Sequence, residues 1–259
     1  MVVAERILSA LSRAPGSHNP IAARHEHGTD KSSLALLERV FPDFTNSIKG
    51  KRIVDFGCGS GYQTVALARG GAEQVLGVDS NAQTLVKARA NLAQESSPRN
   101  VTFAESLPDH AAGQFDIVIS QNSMEHFSDP DAALREMIRA LKDDGRLLIT
   151  FGPPWYAPYG SHMHFFTKVP WVNLWFSEKT VMNVRARFRK DGARRYEDVE
   201  SGLNKMSVRK FERMVKNAGL QTRHREYWCV KRMDFLGHVP MVREMFVNHI
   251  TSILTKTPR

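Results

Sequence analysis

The sequence predicts an α/β fold with a mostly parallel, doubly wound sheet. Two observations carry the prediction. Short β-branched apolar segments alternate with helical patterns over residues 51–151, and a glycine-rich turn joins the first segment to a helix. Such alternation produces parallel strands covered by helices on both faces. The rhythm stops after residue 151 and resumes near residue 207, which predicts an insertion.

The predicted elements follow in a regular order up to the insertion. Strands are expected near 51–56, 74–79, 100–104, 115–120 and 145–151, with helices near 60–70, 81–95 and 129–142. Shorter helices are expected before them, near 2–11 and 32–40. A helix near 207–218 and strands near 220–230 and 248–255 complete the chain.

Length and composition limit the class of protein. A chain of 259 residues with 42% hydrophobic content can bury one full core, so one elaborated domain is expected. Two cysteines, Cys58 and Cys229, cannot form a disulfide framework and favour a reducing compartment. No stretch approaches the roughly 20 apolar residues of a membrane span. Glu5 and Arg6 are unlike the apolar core of a signal peptide, so a cytoplasmic protein is expected.

The glycine-rich turn is the strongest single signal. The β-branched segment ending at Phe56 leads into Gly57, Gly59 and Gly61, and the helical pattern follows at once. Glycine tolerates positive φ and carries no Cβ, so backbone in this turn can approach a nucleotide-like ligand closely. Cys58 inside the turn is interpreted as a small filler.

Two classes of ligand compete for this turn. A dinucleotide fingerprint, G-x-G-x-x-G/A, needs a small third residue, but Tyr62 stands there. Asp55, two residues before Gly57, suits an ammonium group better than a pyrophosphate. Asp79 ends the second predicted strand and is placed to accept ribose hydroxyl protons, which fits both ligand classes. The alternative role for Asp79 is to cap the helix that begins near Asn81.

The pattern D-x-G-x-G-x-G at 55–61 resembles motif I of the class I S-adenosylmethionine-dependent methyltransferases. The likeness extends closely over 50–151 and is strongest to the small-molecule and glycan branch, similar to methyltransferase type 11. It implies a Rossmann-like seven-stranded sheet with an antiparallel last strand, and S-adenosyl-L-methionine as cofactor. The cofactor-binding residues that it implies are Asp55, Gly57, Cys58, Gly59, Gly61, Asp79, Ser80, Glu105, Gln121 and Asn122.

Some of these residues follow the third and fourth predicted strands. Glu105 takes the place where the family commonly contacts adenine, although the N–H groups of Ala104 and Ser106 can do the same. The segment 121–127 resembles the family's Glu-His station, so Gln121, Asn122, Glu125 and His126 are expected to face the methyl group. It lacks the N/D-P-P-Y/F motif of nucleic-acid amino methyltransferases, which disfavours base N-methylation.

Three histidines are candidates for a general base, because a hydroxyl acceptor must lose its proton. They are His126, His162 and His164, with Glu125 beside the first. In extended backbone His162 and His164 would share one face. Two alternatives stay open: the histidines with Glu125 as ligands of a divalent metal, or histidines that only pack. A base without a metal, acting on a hydroxyl of a small molecule, sugar or glycan, is preferred.

The insertion is predicted to form an aromatic and basic cap over 152–206. The predicted organisation is an N-terminal helical segment covering the cofactor (1–49), a core (50–151 with 207–259) and this cap. Gly28 and Thr29 are expected near the methionine moiety. Between 152 and 210, eleven Lys and Arg face five Asp and Glu. The run 185–190 is interpreted as a solvated face.

Two other functions remain open. A basic cap can serve an RNA or protein methyltransferase, since cationic patches attract polyanions without distinguishing among them. The chain can also be a non-catalytic subunit that binds S-adenosylmethionine. A small-molecule or glycan substrate is favoured over nucleic acid, no membrane span is expected, and a homodimer is allowed.

Overall fold

The computed structural model describes residues 3–13, 30–93, 98–200, 202–240 and 242–257. Its centre is a seven-stranded sheet in the order β3-β2-β1-β4-β5-β7-β6. The strands are β1 (Arg52–Phe56), β2 (Gln74–Val78), β3 (Val101–Ala104), β4 (Phe115–Gln121), β5 (Leu141–Phe151), β6 (Leu220–Cys229) and β7 (Val247–Lys256). The first five pair in parallel, and β7 runs antiparallel to both β5 and β6. The predicted sheet and its antiparallel last strand are confirmed.

Helices cover the sheet and extend beyond it. The described α-helices are α1 (Val3–Ala10), α2 (Asp30–Val40), α3 (Phe44–Ser47), α4 (Tyr62–Arg69), α5 (Ala82–Leu92), α6 (Pro130–Ala140), α7 (Val172–Trp175), α8 (Glu178–Arg185), α9 (Val208–Asn217) and α10 (Arg243–Phe246). Short 3₁₀ turns lie at Asp109–Ala111, Tyr196–Asp198, Val230–Arg232 and Asp234–His238. Among the described helices, none has the length and apolar character needed to cross a membrane.

The sheet is buried on both faces, as expected for parallel strands. Side chains alternate along β1, so Ile53 joins one hydrophobic cluster and Val54 the other. The first cluster includes Leu37 of α2 and Leu67 of α4, and the second includes Phe211 of α9. The chain order reverses between the neighbours β1 and β4, so the crevice at their carboxyl ends is where ligands bind in such sheets.

The segment between β5 and α9 has a hydrophobic cluster of its own. Phe166, Val181 and Tyr196 are buried in it, and Leu8 of α1 joins them. Tyr196 meets Trp155 edge to face at 4.8 Å between ring centroids. Trp175, in contrast, is 71% exposed. Many of the aromatic side chains of this segment therefore form its own small core.

The interpretation of 185–190 as a solvated face is wrong for its first residue. Arg185 is 1% exposed, because it lies on the inner face of α8 beside Val181. Its guanidinium donates two hydrogen bonds to Asp191, at 2.7 and 2.5 Å. These bonds hold the pKa of Asp191 down at about 2. A buried arginine needs such a partner, so Arg185 serves the packing of the segment.

Candidate functional site

The glycine turn leaves β1 at the crevice and is built from three positive-φ residues. Gly57, Gly59 and Gly61 have φ of 82°, 53° and 77°. A Cβ at Gly57 would lie 2.6 Å from Ser123 Oγ, and one at Gly61 would lie 2.7 Å from the Phe103 ring. A Cβ at Gly59 would meet no atom within 4 Å. Two glycines are thus needed for packing, and Gly59 is the one that borders open space.

Asp79 ties the glycine turn to the end of β2. Its Oδ2 accepts the Gly59 N–H at 2.9 Å, and its Oδ1 accepts the Asn81 N–H at 2.9 Å. Asn81, rather than Asp79, caps α5 by accepting from the N–H groups of Gln83 and Thr84. Each Asp79 oxygen keeps a further lone pair for a ligand hydroxyl.

Asp55 is buried beneath the turn and faces α4. It is 2% exposed, and it accepts hydrogen bonds from Gln63 Nε2 at 2.8 Å and Thr64 Oγ1 at 2.7 Å. Burial raises its pKa to about 6, against the lowering effect of these two bonds, and the charge of Asp79 adds to the rise. Sequence reasoning missed both partners; their position in the first turn of the following helix was the available signal.

The Cys58 thiol lies beside the same two carboxylates. Burial raises its pKa strongly, and the charges of Asp55 and Asp79 raise it further. Because only a thiolate is a good nucleophile, Cys58 is chemically inert here and fills space.

Replacing Asp55 with asparagine is expected to raise the free energy of unfolding at neutral pH. The pKa of Asp55 is about 6 in the folded chain against an ordinary value of 3.8, so the folded state holds this proton more tightly. Stability from this group is full below about pH 4 and is lost as pH rises to about 6, a difference of about 3 kcal/mol. Urea unfolding at several pH values in this range measures the change in the free energy of unfolding. In Asp55→Asn, this free energy should fall less steeply as the pH rises.

Asp116 is a control because its pKa is shifted in the opposite direction to that of Asp55. Burial alone would raise the pKa of Asp116, but hydrogen bonds from Lys142 Nζ at 2.7 Å and the Arg52 N–H at 2.9 Å bring it below the ordinary value. Asp116→Asn should therefore lower stability at neutral pH. The pKa of Glu125 is also raised by burial. Some loss of stability with rising pH should therefore remain in Asp55→Asn. Equal losses of stability at neutral pH in Asp55→Asn and Asp116→Asn would contradict the prediction.

The end of β4 and the loop after it hold buried acceptors that lack partners among the described residues. Gln121 Oε1, Asn122 Oδ1 and Glu125 Oε2 are buried and accept no hydrogen bond from any described residue. The other oxygen of Glu125 accepts the Gly152 N–H at 3.1 Å. Burial raises the pKa of Glu125, and attraction to a charged His126 opposes the rise. Buried acceptors are nearly always paired, so this loop is suited to a ligand that supplies donors.

His126 is fixed by a backbone carbonyl. Its Nδ1 lies 2.8 Å from the Gly202 oxygen. A carbonyl only accepts, so Nδ1 must carry the proton and the neutral ring keeps its lone pair on Nε2. The His162 ring meets it edge to face, with 5.5 Å between centroids.

The backbone at 162–164 is not extended, which was the condition for His162 and His164 to share one face. His162 has φ of 57°, and its N–H donates to the Tyr159 carbonyl at 2.9 Å. A second turn follows, in which the Phe166 N–H donates to Met163 at 3.2 Å. Because the backbone closes into consecutive turns, the argument that His162 and His164 share a face does not apply. His164 is half-buried, and His162 reaches His126 by the turn instead.

Asn204 holds the same loop and was missed by sequence reasoning. Its Nδ2 donates to the carbonyls of Met124 at 2.7 Å and Phe127 at 2.8 Å, and its N–H donates to Glu125 at 3.0 Å. The segment that carries Gly202 and Asn204 thus clamps the loop of His126 from outside the sheet. An asparagine in an irregular segment carries no sequence signal for this role.

The remaining predicted residues lie at the rim or outside the described ranges. Ser80 and Glu105 are exposed and follow β2 and β3. Gly28 and Thr29 lie outside the described residues. Across those that are described, no group of three or more His, Cys, Asp or Glu side chains is placed to hold a metal ion.

Comparison with known proteins agrees with this geometry. Residues 54–149 match the family model described as a methyltransferase domain. The chain is 34% identical over 128 residues to the ubiquinone biosynthesis O-methyltransferase of Idiomarina loihiensis, covering 48% of this chain and 50% of that protein. It is 32% identical over 128 residues to the magnesium-protoporphyrin O-methyltransferase of Rhodobacter capsulatus, covering 49% of this chain and 55% of that protein. It therefore spans about half the length of these curated relatives.

A solved structure extends the likeness in fold. Magnesium protoporphyrin IX methyltransferase from Synechocystis PCC 6803, with bound S-adenosylhomocysteine (SAH), superposes with a TM-score of 0.54 at 15% identity. The match covers 93% of this chain and 90% of that chain. At this identity the likeness concerns the fold.

Proposed function

We propose that this chain, a member of the class I S-adenosylmethionine-dependent methyltransferases, methylates a hydroxyl of a small molecule or sugar, with His126 as general base. The observation that carries the proposal is the 2.8 Å contact between His126 Nδ1 and the Gly202 carbonyl. It directs the basic nitrogen away from the backbone, at the carboxyl end of β4 where ligands of such sheets bind.

The residues of the crevice fit S-adenosylmethionine. Gly59 offers backbone without a side chain, Asp79 offers lone pairs for ribose hydroxyls, and Gln121 and Asn122 offer buried acceptors for an ammonium group. Asp55 adds negative charge from beneath the turn. The bound cofactor supplies a methyl group activated by its sulfonium, so the protein's main task is to position the acceptor.

His126 then has a defined task. An acceptor hydroxyl within hydrogen-bond reach of Nε2 gives up its proton to that atom as its oxygen attacks. The resulting imidazolium is stabilised by the Gly202 carbonyl on Nδ1 and by the nearby Glu125. Glu125 is itself held by the Gly152 N–H, so the pair is positioned by β4 and β5 together.

Other observations support the choice of acceptor. Both curated relatives are named O-methyltransferases. The burial of Arg185 removes one cation from the basic run that an RNA or protein substrate would use. A non-catalytic subunit would not need a histidine with a fixed tautomer beside a buried carboxyl. Two buried free cysteines agree with a cytoplasmic location.

The acceptor can be found directly. Purified protein is incubated with methyl-labelled S-adenosylmethionine and fractionated extract of its host, and the labelled product is identified by mass spectrometry and NMR. We expect a methyl ether on a low-molecular-weight product. Label on RNA or protein alone, or on nitrogen or carbon, would overturn the proposal.

A further inference from the structure

A pocket that the proposed reaction does not use lies at the start of α9. Its volume is about 400 Å³, within the usual range for small-molecule sites. Its lining consists of Tyr156, Ser207, Arg209, Lys210, Arg213, Glu244 and Met245. Three cations against one carboxylate give the pocket a positive character.

The carboxylate of Glu244 is already engaged. It is 7% exposed and accepts the N–H groups of Arg209 at 2.7 Å and Val208 at 3.2 Å, at the start of α9. Its nearest contact with the Arg209 guanidinium is 3.8 Å. Ser207 accepts the Lys210 N–H at 3.2 Å. Since the backbone donors of this helix end are satisfied, the side-chain cations are what the pocket offers.

These cations keep unused donors. Arg213 makes no hydrogen bond or ion pair with any residue that the structure describes, and it lies on the same helical face as Arg209 and Lys210. Lys210 donates one hydrogen bond, from Nζ to the Asn204 carbonyl at 3.0 Å, which leaves two N–H groups. Asp129, which caps α6, and Asp131 in its first turn act on Lys210 electrostatically, but neither lies within 4.0 Å of its Nζ.

One lining residue of the pocket is bonded to a residue that supports the loop of the proposed active site. Lys210 bonds to Asn204, which holds the loop of Glu125 and His126. Tyr156 lies on the loop that begins at Gly152, the donor to Glu125. The pocket is therefore linked to the loop of His126 through the contact between Lys210 and Asn204.

We propose that this pocket binds a phosphate or carboxylate group of the methyl acceptor. Arginine and lysine recognise both groups through charge-assisted hydrogen bonds. The pocket volume suits a small anionic molecule rather than a polymer. That the anionic group belongs to the acceptor rests on the proposed function; that the pocket binds anions does not.

Calorimetric titration of the purified full chain with inorganic pyrophosphate, and separately with citrate, tests the binding. Arg213→Gln should weaken binding by about tenfold or more, the loss expected for a charge-assisted hydrogen bond. Arg194→Gln, an exposed cap arginine outside the pocket, is the control of equal charge change and should bind as the wild type does. Binding of pyrophosphate alone identifies a phosphate site, and binding of citrate alone identifies a carboxylate site.

Equal weakening in Arg194→Gln and Arg213→Gln would show a general effect of surface charge and overturn the proposal, as would unchanged binding in an Arg209→Gln, Arg213→Gln double variant. A single-stranded RNA that displaces pyrophosphate more strongly than citrate does would overturn the small-molecule ligand.

A separate kinetic experiment tests whether the anionic group bound in the pocket belongs to the methyl acceptor. With the acceptor identified from host extract, Arg213→Gln should raise KM without lowering kcat, and SAH should bind as before. A methylated product without an anionic group would overturn the pocket's role in acceptor binding while leaving the proposed methyl transfer intact. Failure to form any product would count against the proposed function instead, and the pyrophosphate result would stand.

Discussion

Replacing His126 with asparagine is expected to lower turnover by about 10²–10⁴-fold, the usual contribution of a general base. In the wild type, His126 Nδ1 lies 2.8 Å from the Gly202 carbonyl oxygen. Asparagine can place an amide N–H at the position of Nδ1 and keep this hydrogen bond. It has no counterpart of Nε2. The variant therefore separates proton transfer from loop support. Steady-state kinetics with the identified acceptor measures the loss, and calorimetry should give wild-type affinity for SAH.

Two further variants complete this experiment. His126→Ala removes both the base and the support, so it should lose turnover and also some thermal stability. His110→Ala, at an exposed histidine of the Asp109–Ala111 turn, should retain full activity. Full turnover in His126→Asn would refute the base assignment. If His162→Ala lost turnover in that case, the base would be His162, whose ring adjoins His126.

Replacing Gly59 with alanine is expected to weaken SAH binding by roughly a hundredfold, or about 3 kcal/mol. The added Cβ would enter the open space beside the turn and would meet no protein atom within 4 Å. This space is where the cofactor is proposed to contact the backbone of Gly59. The structural cost should be limited to the left-handed φ of 53°, about 1–2 kcal/mol. Calorimetry with SAH and urea unfolding measure the two effects separately.

Gly113 provides a matched control for Gly59. It has φ of 64°, and a Cβ there would also meet nothing within 4 Å, but it lies just before β4 and thus at the opposite edge of the sheet. Gly113→Ala should lose a similar amount of stability and keep its SAH affinity. If both variants bound SAH as the wild type does, the cofactor would not approach Gly59.

The local part of the site could be predicted from sequence because neighbouring residues determine it. Gly57 and Gly61 must be glycine where positive φ meets close packing, and this requirement is visible in the D-x-G-x-G-x-G spacing. Strand–helix alternation likewise predicted the parallel strands from β1 to β5. Asp79 follows β2 at once, so its placement beside the turn follows from parallel pairing.

The rest depends on contacts between distant parts of the chain. Asn204 meets Met124 and Phe127 across a long separation in sequence, and no local pattern announces this. Arg185 appeared to belong to a charged run, but the face that α8 turns inward buries it. The φ of 57° at His162 arises from the turns around it, which alternation of residue types does not predict.

The place of β7 in the sheet has a consequence for synthesis. This strand follows every other described strand in the chain, yet it lies between β5 and β6. Until it emerges from the ribosome, β5 has an open edge, and Gly152 lacks the close backbone neighbour at Asn248. Gly152 donates to Glu125, so the surroundings of this hydrogen bond are completed only when β7 has been synthesised. The glycine turn and the contact of His126 with Gly202 involve only residues that precede β7 and are made earlier.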